Sequence, residues 1–162
     1  MKADFLQTAE LGPYAFEEQM PTWMKERLQR RTISQLLPTS PSDVRTVFTE
    51  LERNCQEDQS IQQAYLCHTG VKYVVMKPEL EGLDGYHNIQ MMISYLLATR
   101  YSQCHEYFQG KLPTILKLQD LIEEAWDKGI NSHGRIETGG IRGTRKWIGT
   151  PEVTAAAIFQ MR

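Results

Sequence analysis

The side chains best suited to metal binding or nucleophilic chemistry are three cysteines and four histidines. These residues are Cys55, Cys67, Cys104, His68, His87, His105 and His133. They contain no CxxC pair, and the closest pairs are the sequence neighbours Cys67–His68 and Cys104–His105. Zinc needs three or four ligands that converge on one point, and adjacent residues on a helix point in different directions. The sequence therefore predicts no metal site and no bound cofactor.

A carboxylate stands directly before an apolar segment in the stretch EGLDGYHNIQMMISYLL, at Asp84. The pattern after it predicts a helix, and a helix N-terminus has unpaired backbone N–H groups and the positive end of the helix dipole. These groups stabilise an anion. An aspartate commonly uses this position as a cap, whereas a cysteine there has a lowered pKa. Asp84 is therefore predicted to cap this helix.

Six of the eleven glycines lie between residues 129 and 149, which predicts a long irregular loop of the kind that often has a function. The loop lacks the GxxxxGK[ST] order of a phosphate-binding loop. Glycines on either side of Trp147 would let another main chain approach closely beside an aromatic surface. A tryptophan packed in the core is the alternative that the same pattern allows.

Five helices are predicted to position these residues. The segment MPTWMKERLQRR has Trp23, Met24 and Leu28 along one stripe, and a second helix begins at Pro41 after Ser40 as cap. The third follows the EGLDG turn, the fourth runs from Pro113 to Gly129, and the last begins with Thr150 as cap. Their predicted inward residues include Val44, Val47, Phe48, Leu51 and Cys55 in the second helix, Ile89, Met92, Ile93, Leu96 and Leu97 in the third, and Ile115, Leu118, Ile122, Ala125 and Trp126 in the fourth.

One segment, VKYVVM at 71–76, has the composition of a strand, and a lone strand cannot form a sheet.

The chain has 162 residues, 41% of them apolar and 23% charged, which fits one soluble domain and is far from the composition of a disordered chain. A net charge of −2 argues against a nucleic-acid or anionic-membrane partner. No apolar run approaches the about 18 residues that span a bilayer. The odd cysteine count and the lack of an apolar leader favour a cytoplasmic or nuclear location.

Four segments together resemble the Ufm-specific protease family, and in particular its fungal and zinc-finger-associated deubiquitinase branch. They are AYLCHTGVKYV, EGLDGYHNIQMMISYLL, LIEEAWDKGI and IRGTRKWIGTPEV, and the resemblance runs from about LGPYAFEEQMPTW to the end. It implies a papain-like cysteine peptidase that hydrolyses conjugates of ubiquitin or a ubiquitin-like modifier with a Cys, a His and an Asp. The expected fold is mainly α, the helical half of a papain-like α+β domain with little or no complete sheet. The expected organisation is one partial domain over 1–162, with a helical arm and linker at 1–40 and a helical core at 41–162.

This sequence departs from the family pattern at the helix entrance. The family reads about Gly-Phe-Cys-Gly-Tyr-Arg-Asn-Ile-Gln-Met, whereas here Asp84 occupies the position of the nucleophilic cysteine and His87 that of the arginine. The family's catalytic histidine and aspartate follow the helix that begins at Thr150, and the sequence ends within that helix. The resemblance therefore implies no catalytic residue in this chain. It also implies that Gly85, Tyr86, Trp147 and Gly149 lie near the path of the modifier's Gly-Gly tail.

Three functions remain open at this stage. The first is a catalytically inactive relative that still binds ubiquitin or a ubiquitin-like modifier. The second is a non-functional truncated remnant, in which the apolar face of the helix from Ile89 to Leu97 is exposed and drives self-association. The third is the N-terminal portion of an active deubiquitinase or Ufm-specific thiol hydrolase.

Overall fold

A computed structural model of the chain describes residues 12–30, 41–68, 70–72, 80 and 82–154. Its helices are α1 (Thr22–Arg30), α2 (Pro41–Glu57), α3 (Asp84–Ala98), α4 (Ser102–Phe108), α5 (Ile115–Asp127) and α6 (His133–Thr138), and a further helix begins at residue 150 and is described to 154. None of the described residues is in a strand, which confirms the mainly α prediction. Val71 and Lys72 are not in the predicted strand, and the rest of it lies outside the described residues. The proposed boundary at residue 40 adjoins an undescribed stretch and stays a prediction.

Helix α5 is at the centre of the core. All five of its predicted inward residues are buried, and Leu118, Ile122 and Ala125 are completely inaccessible to solvent. The Thr114 side chain caps its first turn by accepting the N–H of Lys117 at 3.2 Å. At the other end Gly129, at φ +79°, forms a Schellman motif, with the Ile130 N–H donating to Ala125 O at 2.9 Å. The sequence therefore predicted this helix and its C-terminal end, whereas the helix begins at Ile115 and not at the predicted Pro113, because Thr114 occupies the cap position.

Helix α3 packs against α4 and α5 through Ile89 and Ile93, each 5% exposed. Leu96 and Leu97 are partly buried against the same core, as predicted. Met92 is 53% exposed, so its predicted inward position is wrong. The remnant hypothesis expected this apolar face to be open, but within the described part of the chain most of it is covered.

Two helices were not predicted. Helix α4 is short, and its sequence SQCHEYF has too few apolar residues to show a helical period. Helix α6 lies inside the glycine-rich tract, which is therefore not one continuous loop. Gly134 in α6 is buried against the Trp126 ring. A Cβ on this residue would be 3.0 Å from the ring, so the glycine permits close packing. The irregular segment is correspondingly shorter and begins after Thr138.

The first two helices follow the sequence prediction to different extents. Met24 and Leu28 of α1 are each 1% exposed and belong to the core, whereas Trp23 is half-exposed. Helix α2 forms as its period predicts, yet Val47 and Leu51 on its apolar face are exposed. In the described residues, no helix is both long enough and apolar enough to cross a membrane.

Candidate functional site

Asp84 is the first residue of α3, and the residue at the capping position is Leu83. The prediction that Asp84 caps the helix is therefore wrong by one position, and α3 has no side-chain cap. Asp84 is exposed, and its carboxylate makes no hydrogen bond or ion pair with any residue that the structure describes. An acid in the first turn still has a favourable interaction with the helix dipole. The carboxylate thus faces solvent and has no structural partner among the described residues.

Gly85 connects the start of α3 to the segment around Trp147. A Cβ built on Gly85 would be 2.6 Å from Ile148 Cγ1 and 3.0 Å from the Ile148 carbonyl oxygen, distances that real Cβ atoms rarely show. Only glycine lets the two main chains approach this closely. The structure therefore brings the predicted residues Asp84, Gly85 and the Trp147 segment together.

Tyr86 lies beneath this surface. Its side chain is completely buried, and burial raises the pKa of its phenol far above the ordinary value, with Gln119 opposing the shift and Glu152 and Glu123 adding to it. Its ring belongs to the core cluster with Leu118 and Ile122. Tyr86 is thus placed to support Gly85 from below, and its side chain does not reach a partner at the surface.

Two buried polar residues of α5 hold the segment from Gly140 to Thr144. Gln119 accepts the Gly143 N–H at 2.9 Å and donates to the Thr144 carbonyl at 2.8 Å. The Glu123 carboxylate accepts the Ile141 N–H at 2.7 Å and pairs with Arg135 at 2.6 Å. Buried polar groups need such partners, so these bonds fix the segment to the helix.

Lys146, two residues after this segment, is a buried cation with 8% of its surface exposed. Its ammonium donates to the carbonyls of Thr138 at 2.7 Å and Gly140 at 3.2 Å. Burial lowers the pKa of Lys146, and the carboxylates of Glu123 and Glu17 oppose that shift. Lys146 thus closes the segment onto the end of α6.

Two residues that follow Lys146 remain accessible. Trp147 is 42% exposed and Gly149 is exposed. The Gly149 N–H donates to Glu152 Oε2 at 2.9 Å, the reciprocal half of a capping box, so Gly149 occupies the cap position that the sequence assigned to Thr150. Among the four predicted modifier-contacting residues, Gly85, Trp147 and Gly149 lie at or near one surface, and Tyr86 lies under it.

A cleft of about 930 Å³ opens beside this surface, between residues 15–19 and helix α6. Glu123 and Lys146 both line it, but each already makes the contacts described above. Ionised groups that are engaged in this way are structural, so Glu123 and Lys146 are not a poised acid–base pair.

The cysteines do not supply an evident nucleophile. Cys104 is buried, and burial raises the pKa of its thiol, which leaves it protonated and unreactive. Cys67 is exposed, but the Nδ1 atom of its neighbour His68 accepts the Gly70 N–H at 3.0 Å and is not available as a base. No group of three or more His, Cys, Asp or Glu side chains in the described residues is arranged to hold a metal ion.

Sequence reasoning missed Gln119, Glu123 and Glu17. Gln119 and Glu123 are four residues apart on the buried side of α5, within its apolar stripe. Polar residues at core positions that face a glycine-rich segment are a usable signal, because a segment with so much irregular backbone needs side-chain hydrogen-bond partners. Glu17 gave no comparable signal, since its partner Arg145 is 128 residues away in sequence.

Residues 60–161 match the model of peptidase family C78. Zinc finger-containing ubiquitin peptidase 1 from Homo sapiens is 40% identical over 72 residues, and the Rattus norvegicus protein is 38% identical over 71. Each alignment covers 43% of this chain and 12% of the relative. Ubiquitin carboxyl-terminal hydrolase mug105 from Schizosaccharomyces pombe is 40% identical over 70 residues, which is 43% of this chain and 28% of that protein. The chain thus corresponds to a minor part of each relative's length.

Proposed function

Because this chain belongs to peptidase family C78, we propose that it binds ubiquitin or a ubiquitin-like modifier without cleaving the modifier's conjugates. The relatives described above are named as ubiquitin peptidases and a ubiquitin hydrolase, which supports a modifier of this class as the partner. The observation on which the proposal depends is the residue at the entrance of α3. That residue is Asp84, an exposed carboxylate, where the family resemblance places the nucleophilic cysteine.

A carboxylate at this position does not replace a thiolate in isopeptide hydrolysis. Attack of the Asp84 oxygen on the amide carbonyl would form an anhydride, and the leaving amine would need a proton from a positioned acid. Among the described residues, no histidine makes a hydrogen bond or an ion pair with Asp84. His87, three residues further along α3, is 2% exposed, and its Nδ1 is 3.0 Å from Gln90 Oε1. We therefore propose that this site does not carry out the chemistry.

The features that suit a glycine-rich tail are present on the same surface. Gly149 is exposed and has no side chain that would obstruct an extended backbone, Gly85 lets Ile148 pack against the start of α3, and the exposed Trp147 offers an aromatic contact. A tail that ends in two glycines is narrow enough to lie against such a surface, and aromatic residues commonly dominate binding energies. Binding at this surface does not require the thiol.

A titration tests the proposal. The ¹⁵N-labelled chain would be titrated with intact ubiquitin, and in parallel with ubiquitin that lacks its last two glycines as the matched control. The proposal predicts amide or indole resonance shifts at Gly85, Trp147 and Gly149 with intact ubiquitin, and weaker shifts with the truncated form. The absence of shifts with ubiquitin and with a ubiquitin-fold modifier, both at high micromolar concentration, would refute the binding claim.

A further inference from the structure

Residues 12–20 lie outside the segment that matches the family profile, yet they contact the candidate site directly. Gly12, at φ +76°, lies with its main chain flat against the Trp147 indole. A Cβ at Gly12 would overlap the ring and would be 2.6 Å from the indole nitrogen. The glycine therefore covers one face of Trp147, while the tryptophan as a whole stays 42% exposed.

Tyr14 lies between the two halves of the site. The Arg145 guanidinium carbon is 3.6 Å from the centroid of the Tyr14 ring, a cation–π contact. The same ring is close to Gly82 in the turn before Asp84, where a Cβ would be 3.1 Å from Tyr14 Cδ2 and 3.0 Å from the Arg145 carbonyl oxygen. Tyr14 therefore contacts both the turn before α3 and the Arg145 side chain, at the place where Gly82 and the Arg145 main chain also approach each other directly.

Glu17 fixes the main chain next to Trp147. Its Oε2 accepts the Arg145 backbone N–H at 2.6 Å, and its Oε1 accepts Arg145 Nε–H at 2.8 Å. The Glu17 side chain is 11% exposed, so these charge-assisted bonds are largely shielded from water. The Met20 N–H also donates to the Gly143 carbonyl at 2.6 Å, which ties the end of this stretch to the same segment.

We infer that residues 12–20 are a positioning element of the modifier-binding site, with Tyr14 and Glu17 as positioning residues. Gly12 shields one face of the Trp147 indole, so that a bound tail contacts the other face and the ring edge. Tyr14 and Glu17 hold Arg145, two residues before Trp147, against the turn that precedes Asp84. The inference rests on the proposed function for the identity of the ligand, but the positioning exists in the free protein and is measurable there.

The test compares Tyr14→Ala with Tyr14→Phe in the full chain. Phenylalanine keeps the ring that contacts Arg145 and Gly82, whereas alanine removes it. The inference predicts that Tyr14→Ala moves the Trp147 indole and Asp84 amide resonances of the free ¹⁵N-labelled chain, at unchanged helical circular dichroism. It also predicts about tenfold weaker ubiquitin binding, and Tyr14→Phe should restore both properties.

A second variant keeps the test decisive if Tyr14→Ala does not fold. Gly12→Ala should push Trp147 away and increase acrylamide quenching of its fluorescence, with a Trp147→Phe variant identifying its share of the signal. If neither Gly12→Ala nor a folded Tyr14→Ala changes the environment of Trp147, the inference is wrong, whatever the binding result. If that environment changes but the wild-type chain binds no modifier, the proposed function fails and the positioning role stands.

Discussion

The Glu123 carboxylate accepts the Ile141 N–H at 2.7 Å, across 18 residues of sequence. This bond joins the central core helix α5 to the segment that ends in Trp147. The other oxygen of Glu123 pairs with Arg135 of α6, so one buried carboxylate fixes two neighbouring parts of the structure. The surface proposed to bind the modifier is therefore held in place by the core and does not depend on the residue at position 84.

Replacing Glu123 by alanine should lower the free energy of unfolding by about 1–3 kcal/mol, because the change leaves the buried Ile141 N–H unsatisfied and removes one of the two carboxylate partners of Arg135. Urea unfolding monitored by circular dichroism measures the change. The matched control is Glu124→Ala, one residue along the helix and only half-buried. The control should stay within about 0.5 kcal/mol of the wild type. Equal losses for the two variants would contradict the assigned role of Glu123.

Replacing Gly85 by alanine should destabilise the protein by about 1–3 kcal/mol, although alanine favours helices, because the added Cβ would overlap Ile148. Thermal unfolding measures the loss. Gly149→Ala serves for comparison, since a Cβ there would meet its nearest atoms at 3.4 and 3.5 Å, which is ordinary contact. A neutral or stabilising Gly85→Ala would show that α3 and the Trp147 segment are not in close contact.

Stability should depend on alkaline pH through Lys146. Burial lowers its pKa in the folded state below the ordinary 10.5, so the unfolded chain binds more protons between those two values. The free energy of unfolding of the wild type should therefore rise with pH across that window relative to Lys146→Met, which lacks the titrating group. Melting curves of both proteins at several pH values measure the difference. The exposed Lys117→Met is the control and should run parallel to the wild type.

Binding should depend on Trp147 more than on another exposed tryptophan. Trp147→Ala should weaken ubiquitin binding about tenfold, because the variant loses an aromatic contact at the centre of the proposed surface. Trp23→Ala removes a tryptophan of similar exposure on α1 and should leave the affinity unchanged. Fluorescence anisotropy of labelled ubiquitin measures both values. Equal effects of the two substitutions would place the binding surface elsewhere.

Local signals in the sequence were sufficient for the parts of the fold that follow a helical period. The buried side and the C-terminal end of α5 followed from the spacing of its apolar residues and from Gly129, whereas the predicted start at Pro113 was two residues too early. Helix α6 was missed because the glycines in and around it predicted a loop, whereas Gly134 permits close packing against Trp126. Met92 shows the limit of the same rule, since a residue at the edge of an apolar stripe can face solvent.

The candidate site was predictable only in part. The proximity of Gly85 and the Trp147 segment came from a family resemblance and not from any local pattern. The contacts of Gly12, Tyr14 and Glu17 with Trp147 and Arg145 join residues more than a hundred positions apart, and no periodicity encodes a pairing of that length. Such contacts are fixed by tertiary packing, which a single sequence does not display.

The most direct test of binding without cleavage is the rate at which the purified wild-type chain releases a fluorophore from a ubiquitin C-terminal amide. With Asp84 at the entrance of α3, the expected rate equals that of a heat-inactivated sample at every enzyme concentration. A faster rate that scales with the amount of folded protein would contradict the account, and would favour the alternative that this chain belongs to an active hydrolase.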